Sequence, residues 1–312
     1  MVAALIVAPS NNLVTAATDL PPVKPAEVKG DISVAGSGTV HPLTQKLADA
    51  FKSAGYSGKL TVESTSTGKG IEAFCDGKID IANASRAMTD DEIATCKANG
   101  REPVQFQVGT DALVIAVSRQ NRFINGLTKD QVGQIFSGKA QTWKDVNEKW
   151  PAQKIALFSP GPTHGTYDFF SESIFTSETD ATARKKIVQQ VPGVQLLEDY
   201  RQIANRVNKD NFAVGYFGYG FYSANRAKLR VVTLDNVTAN DKTMAANQYA
   251  LSRPLFIVTS AKLLKDKPQV AAFVNFYLIT VNDVISEVGY FPESAEQLND
   301  MKSAFVKAIN IK

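Results

Sequence analysis

Apolar positions recur along the chain in two alternating rhythms. Short runs bounded by Gly, Ser and Asp, such as "DISVAG" from Asp31, "KLTVEST" from Lys59 and "DIANAS" from Asp80, have the length and composition of buried strands. Between them the spacing widens to that of helices. Leu43, Leu47 and Phe51 share one helical face that Gly55 closes, a second helix is expected from Gly70, and Thr89 to Glu92 forms a capping box for a third that ends at Gly100. "PVQFQVGTDALVIAVS", from Pro103, carries two adjoining strand runs.

A second stretch of the same kind follows. It contains a capping box at Thr128 to Gln131, the strand "KIALFS", a helix after Gly165 and the run "VGYFGYGFY". "SRPLFIVTS" then restores a strand, and helices over Pro268 to Val281 and Ser294 to Ala308 finish the chain. Alternation of this sort predicts an α/β protein with largely parallel pairing. Crossings near 110 and 252 predict two lobes, 31–112 with 253–312 and 113–252.

Composition narrows the partners. The 312 residues are 44% apolar, enough for two compact cores. Thirty-four basic and 31 acidic residues leave a net charge of only +3 with no dense Lys/Arg block, so nucleic acid is not expected, whereas a small anion is compatible. Residues 1–17 are uncharged, with an apolar stretch from Val2 to Ala8 and small residues at Thr15, Ala16 and Ala17, as in a secretory leader. Pro-rich residues 18–30 read as a linker, and beyond the leader no stretch reaches the ~18 apolar residues of a membrane span. Cys75 and Cys96 are the only cysteines. In an exported chain their pairing is expected, with two buried thiols as the alternative.

Four strand-to-helix turns share one chemistry: "GSGTVHP" (36–42), "STGKG" (66–70), "ASRAMTDDE" (84–92) and "PTHGT" (162–166). Glycine admits close approach to backbone N–H groups, hydroxyls donate, and helix N-termini add partial positive charge, so each turn suits part of an anion. Ordinary N-capping explains any one of them; four together favour a shared ligand. "GKG" at Gly68 fails as a phosphate loop because Glu63 and Gly70 stand where Gly and Ser/Thr are required. Gly68 to Ala73 fits G-x-G-x-x-A, with Asp90 and Asp91 about 20 residues on, and makes a dinucleotide-dependent oxidoreductase one rival. His164 beside Thr163 or Thr166 makes a phosphoester hydrolase another, although nothing nearby nominates a residue to orient such a base. With His41 the only other histidine, no metal site of the usual composition is expected.

"GSGTV", "VESTSTGKGIEAFCDG", "DIANASRAMT", "GPTHGTYDFF", "AVGYFGYGFY" and "SRPLF" occur in the order found in periplasmic phosphate-binding proteins of ABC transporters, which the chain resembles from Asp31 to its C-terminus. The resemblance implies a two-lobed periplasmic-binding-protein fold with a two-crossover hinge. It implies a monomer that is not an enzyme, needs no cofactor and passes inorganic phosphate to a transmembrane permease. Carried over by motif, the ligand set is Thr39, Val40 through its N–H, Thr67 and Gly68, with His164, Gly165 and Thr166 in place of the family's Ser-Gly-Thr turn. Two departures stand out. Ser85 replaces an Asp that accepts a proton from phosphate, and Pro160 stands where an Arg precedes the turn. Arg86 is expected to supply the missing cation as the strongest single contact. His164 is expected to donate from its ring, with added charge below about pH 6.5.

Overall fold

The computed structural model describes residues 18–162, 164–246 and 248–310. The expected leader and Thr163 lie outside them. In chain order the strands are β1 (Ile32–Ser37), β2 (Leu60–Thr65), β3 (Ile81–Ala84), β4 (Pro103–Ser118), β5 (Gly126–Leu127), β6 (Ala156–Pro160), β7 (Gln195–Leu197), β8 (Ala213–Gly218), β9 (Leu229–Val231), β10 (Thr233–Leu234) and β11 (Ser252–Ser260). The helices are α1 (His41–Ser53), α2 (Thr67–Cys75), α3 (Asp90–Ala98), α4 (Lys129–Phe136), α5 (Trp143–Val146), α6 (Gly165–Ile174), α7 (Ala181–Gln189), α8 (Tyr200–Lys209), α9 (Tyr219–Ala224), α10 (Asp241–Ala245), α11 (Ala261–Asp266), α12 (Pro268–Val288) and α13 (Ala295–Asn310).

In the main sheet of the described residues, parallel pairing falls in two groups, β2-β1-β3 and β8-β6-β7, and a separate two-stranded sheet pairs β5 with β10 in parallel. Between the two groups run β11 and β4, antiparallel to each other and to their outer neighbours. The two apolar runs expected in "PVQFQVGTDALVIAVS" form one 16-residue strand. Its first part pairs with β11, and from Leu113 onward it pairs with β8. The backbone stays extended through Gly109 to Asp111, so the polar interruption changes the strand's partners without ending it.

Buried apolar side chains gather on either side of this crossing. A first core draws on residues 32–108 and 255–308, with Phe51, Phe106, Phe273 and Tyr277 among its largest members. A second runs from Ala112 to Leu251, with Trp143, Phe170 and Tyr216, and takes in Phe291. A smaller cluster under α2 and α3 contains Cys75 and Cys96, which are joined in a disulfide.

Three elements differ from expectation for identifiable reasons. Helix α2 begins at Thr67, ahead of Gly70, because the Ser66 hydroxyl accepts the Lys69 N–H and caps it. Helix α12 continues past Val281 to a left-handed Gly289 and is long and apolar enough to cross a membrane. Its apolar stripe at Val270, Phe273, Val274, Tyr277, Leu278, Val281 and Ile285 is buried in the first core, which makes it a core helix. Residues 18–30, expected as a linker, are docked: Leu20, Val23 and Val28 pack on the first core and Asn275 Nδ2 donates to the Pro21 carbonyl at 3.1 Å.

Candidate anion-binding cleft

The carboxyl ends of β1, β2, β3, β6 and β8 open on a cleft of about 910 Å³. Strand β1 lies between β2 and β3, so the chain leaves it in one direction and returns on its other side. The crevice at such a reversal is where open α/β sheets take ligands. Helices α1, α2 and α6 all begin at this cleft, each adding the partial positive charge of its N-terminus.

Eight of the nine expected ligand residues line it. Thr39, Thr67, Gly68, Ser85 and Arg86 come from the side of the first core, and His164, Gly165 and Thr166 from the side of the second. The two sides come close, since a Cβ on Gly165 would lie 3.6 Å from Thr39 Oγ1. Val40 is the exception. It precedes α1 and is wholly buried in the first core, away from the wall.

The hydrogen bonds around the cleft limit which of its protons are free to be donated. Arg253 Nη2 can only donate, and it reaches Thr39 Oγ1 at 2.6 Å. Thr67 Oγ1 accepts the Ser85 N–H at 3.2 Å and lies 3.1 Å from Ser85 Oγ. His164 caps α6 with Nδ1 accepting the Thr166 N–H at 3.4 Å, so a neutral ring carries its proton on Nε2. Tyr200 Oη, which accepts the Gly218 N–H at 3.4 Å, is hydrogen-bonded to Thr166 Oγ1. Burial pushes the Tyr200 phenol up to about 12, so it keeps a proton for that bond. At Thr39 a donor-only guanidinium occupies acceptor capacity, which leaves the hydroxyl's own proton for another acceptor; Thr67 and Ser85 share one proton between their oxygens in either direction, which leaves the pair one more to donate.

The cation differs from expectation. Arg86 reaches the wall, but its guanidinium grips Glu92 through two 2.8 Å bonds. Glu92 is the capping-box residue of α3, and through that position it also holds Arg86. The pair raises the Arg86 pKa and lowers that of Glu92, chiefly through their shared hydrogen bonds. With 46% of its side chain exposed, Arg86 is a rim group. The enclosed cation is Arg253, whose side chain is 11% exposed and pairs at 3.1 Å with an Asp111 that is 7% exposed. Its guanidinium carbon also sits 4.0 Å from the centroid of Phe169, on α6 across the cleft.

His164 departs in its titration. Burial holds its pKa below the usual imidazole value, against an opposing pull from Glu198, so added ring charge belongs further below pH 6.5 than expected. The ring packs on Tyr200 at 4.8 Å between centroids.

Arg253, Asp111 and Tyr200 escape a reading based on turns because they lie in strands and on a helix remote in sequence. Charges in the otherwise apolar runs "GTDALVIAV" and "SRPLFIV" were the available signal, since a buried charge requires a partner. Among the described residues no group of three or more His, Cys, Asp or Glu is placed to hold a metal.

A family model described as a PBP superfamily domain matches residues 22–279. The phosphate-binding protein PstS of Staphylococcus aureus (strain bovine RF122 / ET3-1) is 37% identical over 287 residues, covering 89% of this chain and 84% of its own. A crystal structure of a possible phosphate binding protein from Planctomyces limnophilus DSM 3776 matches with a TM-score of 0.79 and 31% identity, over 91% of this chain and all of that one. An ABC-type phosphate transport receptor from Vibrio cholerae shares the fold with a TM-score of 0.67 at 22% identity, over 83% of this chain and 99% of the other. Sequence, fold and the donor-lined cleft agree: the chain belongs to the PstS family of phosphate-binding proteins within the PBP superfamily.

Proposed function

We propose that the chain captures inorganic phosphate outside the cytoplasmic membrane and delivers it to the permease of an ABC transporter. The observation that carries this reading is the set of donors gathered in the cleft: Arg253, enclosed in its wall, donates to Thr39 Oγ1 and leaves that hydroxyl its own proton, and the Thr67–Ser85 hydroxyl pair keeps one proton beyond the one it shares. A site built to donate suits an oxyanion. The printed descriptions of its relatives as phosphate-binding and phosphate-transport proteins support phosphate as that anion.

In this reading 31–112 with 253–312 and 113–252 are the two lobes, β4 and β11 are the hinge, and closure adds His164, Gly165 and Thr166 to an anion first held by Thr39, Thr67, Gly68, Ser85 and Arg253. Arg86 contributes from the rim. The protein works as an exported monomer after removal of residues 1–17.

Binding and release require no covalent chemistry. The hydrolase alternative needs His164 as a base, yet its Nδ1 already accepts the Thr166 N–H and its other nitrogen carries the proton. The oxidoreductase alternative needs a glycine-rich phosphate turn. Here Gly70 is packed inside α2, where a Cβ would lie 2.5 Å from Gly36 Cα, so that glycine serves helix–strand packing.

Calorimetry with phosphate, sulfate, molybdate and NAD, together with a phosphoester turnover assay, tests the proposal. Saturable one-to-one heat with phosphate and none with NAD is expected. Binding of NAD, or turnover, would overturn it.

A further inference from the structure

The two crossing strands are not the only place where the two cores meet. Gly220, in the first turn of α9, touches Gly289, the residue that ends α12. The contact is backbone on backbone. A Cβ on Gly220 would overlap Gly289 Cα and lie 2.9 Å from its carbonyl oxygen, and a Cβ on Gly289 would lie 2.8 Å from Gly220 Cα. Real Cβ atoms do not approach backbone so closely. Gly289 also has φ +92°, in the left-handed region that disfavours any side chain.

The position of the contact gives it a consequence. Gly220 and Gly289 line the anion cleft and also a second groove of about 660 Å³ behind it, so the contact is the partition between the two. It sits beside the crossing point. Tyr219 packs on Phe291 at 4.3 Å between centroids, and Phe291 exchanges backbone hydrogen bonds with Thr110 of β4.

We infer that Gly220 and Gly289 form the fulcrum of the cleft: two side-chain-free backbones whose contact sets how far the halves close, so that any side chain at Gly220 wedges them apart. This rests on the reading that the cleft closes on phosphate. No ligand atom needs to touch either glycine. The effect is on the share of molecules that reach the closed form, and apparent affinity falls in proportion to that share.

The test compares the wild type with Gly220→Ala and Gly220→Ser, using stopped-flow phosphate binding and small-angle X-ray scattering with and without phosphate. If the closed share drops to a tenth, Kd rises about tenfold, carried by faster dissociation with little change in association. Scattering of the phosphate-bound variants should show a larger radius of gyration than the bound wild type. Thermal unfolding confirms that each variant is folded; if Gly220→Ala is not, Gly220→Ser supplies the comparison. Folded variants with wild-type dissociation and a wild-type bound radius would overturn the fulcrum and leave phosphate capture standing. A wild type that gives no phosphate signal would overturn the functional reading itself, while the scattering of the unliganded variants still reports whether the halves have been forced apart.

Discussion

Arg253 donates from Nη2 to Thr39 Oγ1 across 2.6 Å, joining strand β11 to the turn before α1, 214 residues away in sequence. The same guanidinium is held by Asp111, its direct neighbour in the β4–β11 register. One largely enclosed cation is thereby tied to a hydroxyl donor and to the crossing strands together.

Arg253→Ala should therefore weaken phosphate binding by about 3 kcal/mol, since it removes the cation and leaves Asp111 unpaired in the cleft. Arg86→Ala should cost less than about 1 kcal/mol, because that guanidinium is partly exposed and engaged by Glu92. Calorimetric titration of both variants checks the order. Equal losses, or a larger one at Arg86, would return the leading role to the rim.

Tyr200→Phe removes the phenol beside Thr166 Oγ1 and the acceptor of the Gly218 N–H without changing the ring that packs on His164. Thr166 would then be free to rotate its hydroxyl away from the anion. Affinity should fall by about 1 kcal/mol, roughly fivefold, and thermal stability should fall modestly too because the Gly218 N–H loses its acceptor. A variant that binds as tightly as the wild type would show that Thr166 needs no such partner.

What the sequence made legible was whatever is local. The turns at Ser37–Thr39, Ser66–Gly68, Ser85–Arg86 and His164–Thr166 each pair a strand end with a helix start, and that short-range signal located most of the cleft wall. Arg86 misled because its competitor is also local. Glu92 was readable as a capping residue, but nothing in the pattern told that its carboxylate also faces back to Arg86. Arg253 and Asp111 were hidden for the opposite reason. Only the register of β4 on β11 makes neighbours of residues 142 positions apart. The continuity of β4 was hidden likewise, since its two runs look like separate strands until β11 and β8 pair with successive parts of it.

His164 gives a pH dependence whose sign follows from burial. Its folded pKa lies below the unfolded value near 6.5, so the unfolded chain binds the extra proton first as pH falls. Above that value both states are neutral and His164 adds nothing; below it, stability declines until the folded state protonates too. His164→Ser should remove this decline, so that the melting temperature of the variant minus that of the wild type is higher at pH 5 than at pH 8. A constant difference between them over that range would mean the ring titrates alike in both states.

The disulfide between Cys75 and Cys96 ties the end of α2 to α3, and both residues are buried beneath those helices. It closes a loop with a sequence separation of 21. Opening it enlarges the unfolded ensemble, which in the chain-entropy treatment costs about 3 kcal/mol. Reduction of the wild type tests this without creating a cavity, whereas Cys75→Ala with Cys96→Ala adds the loss of packing. Urea unfolding with and without dithiothreitol should give that difference in free energy. Neither cysteine lines the cleft, while Thr67 and Gly68 stand at the far end of α2, held there by the Ser66 cap. Phosphate affinity of the reduced, folded protein should consequently match that of the oxidised one. A stability loss accompanied by a marked fall in affinity would mean that the bond also holds the α2 N-terminus in place.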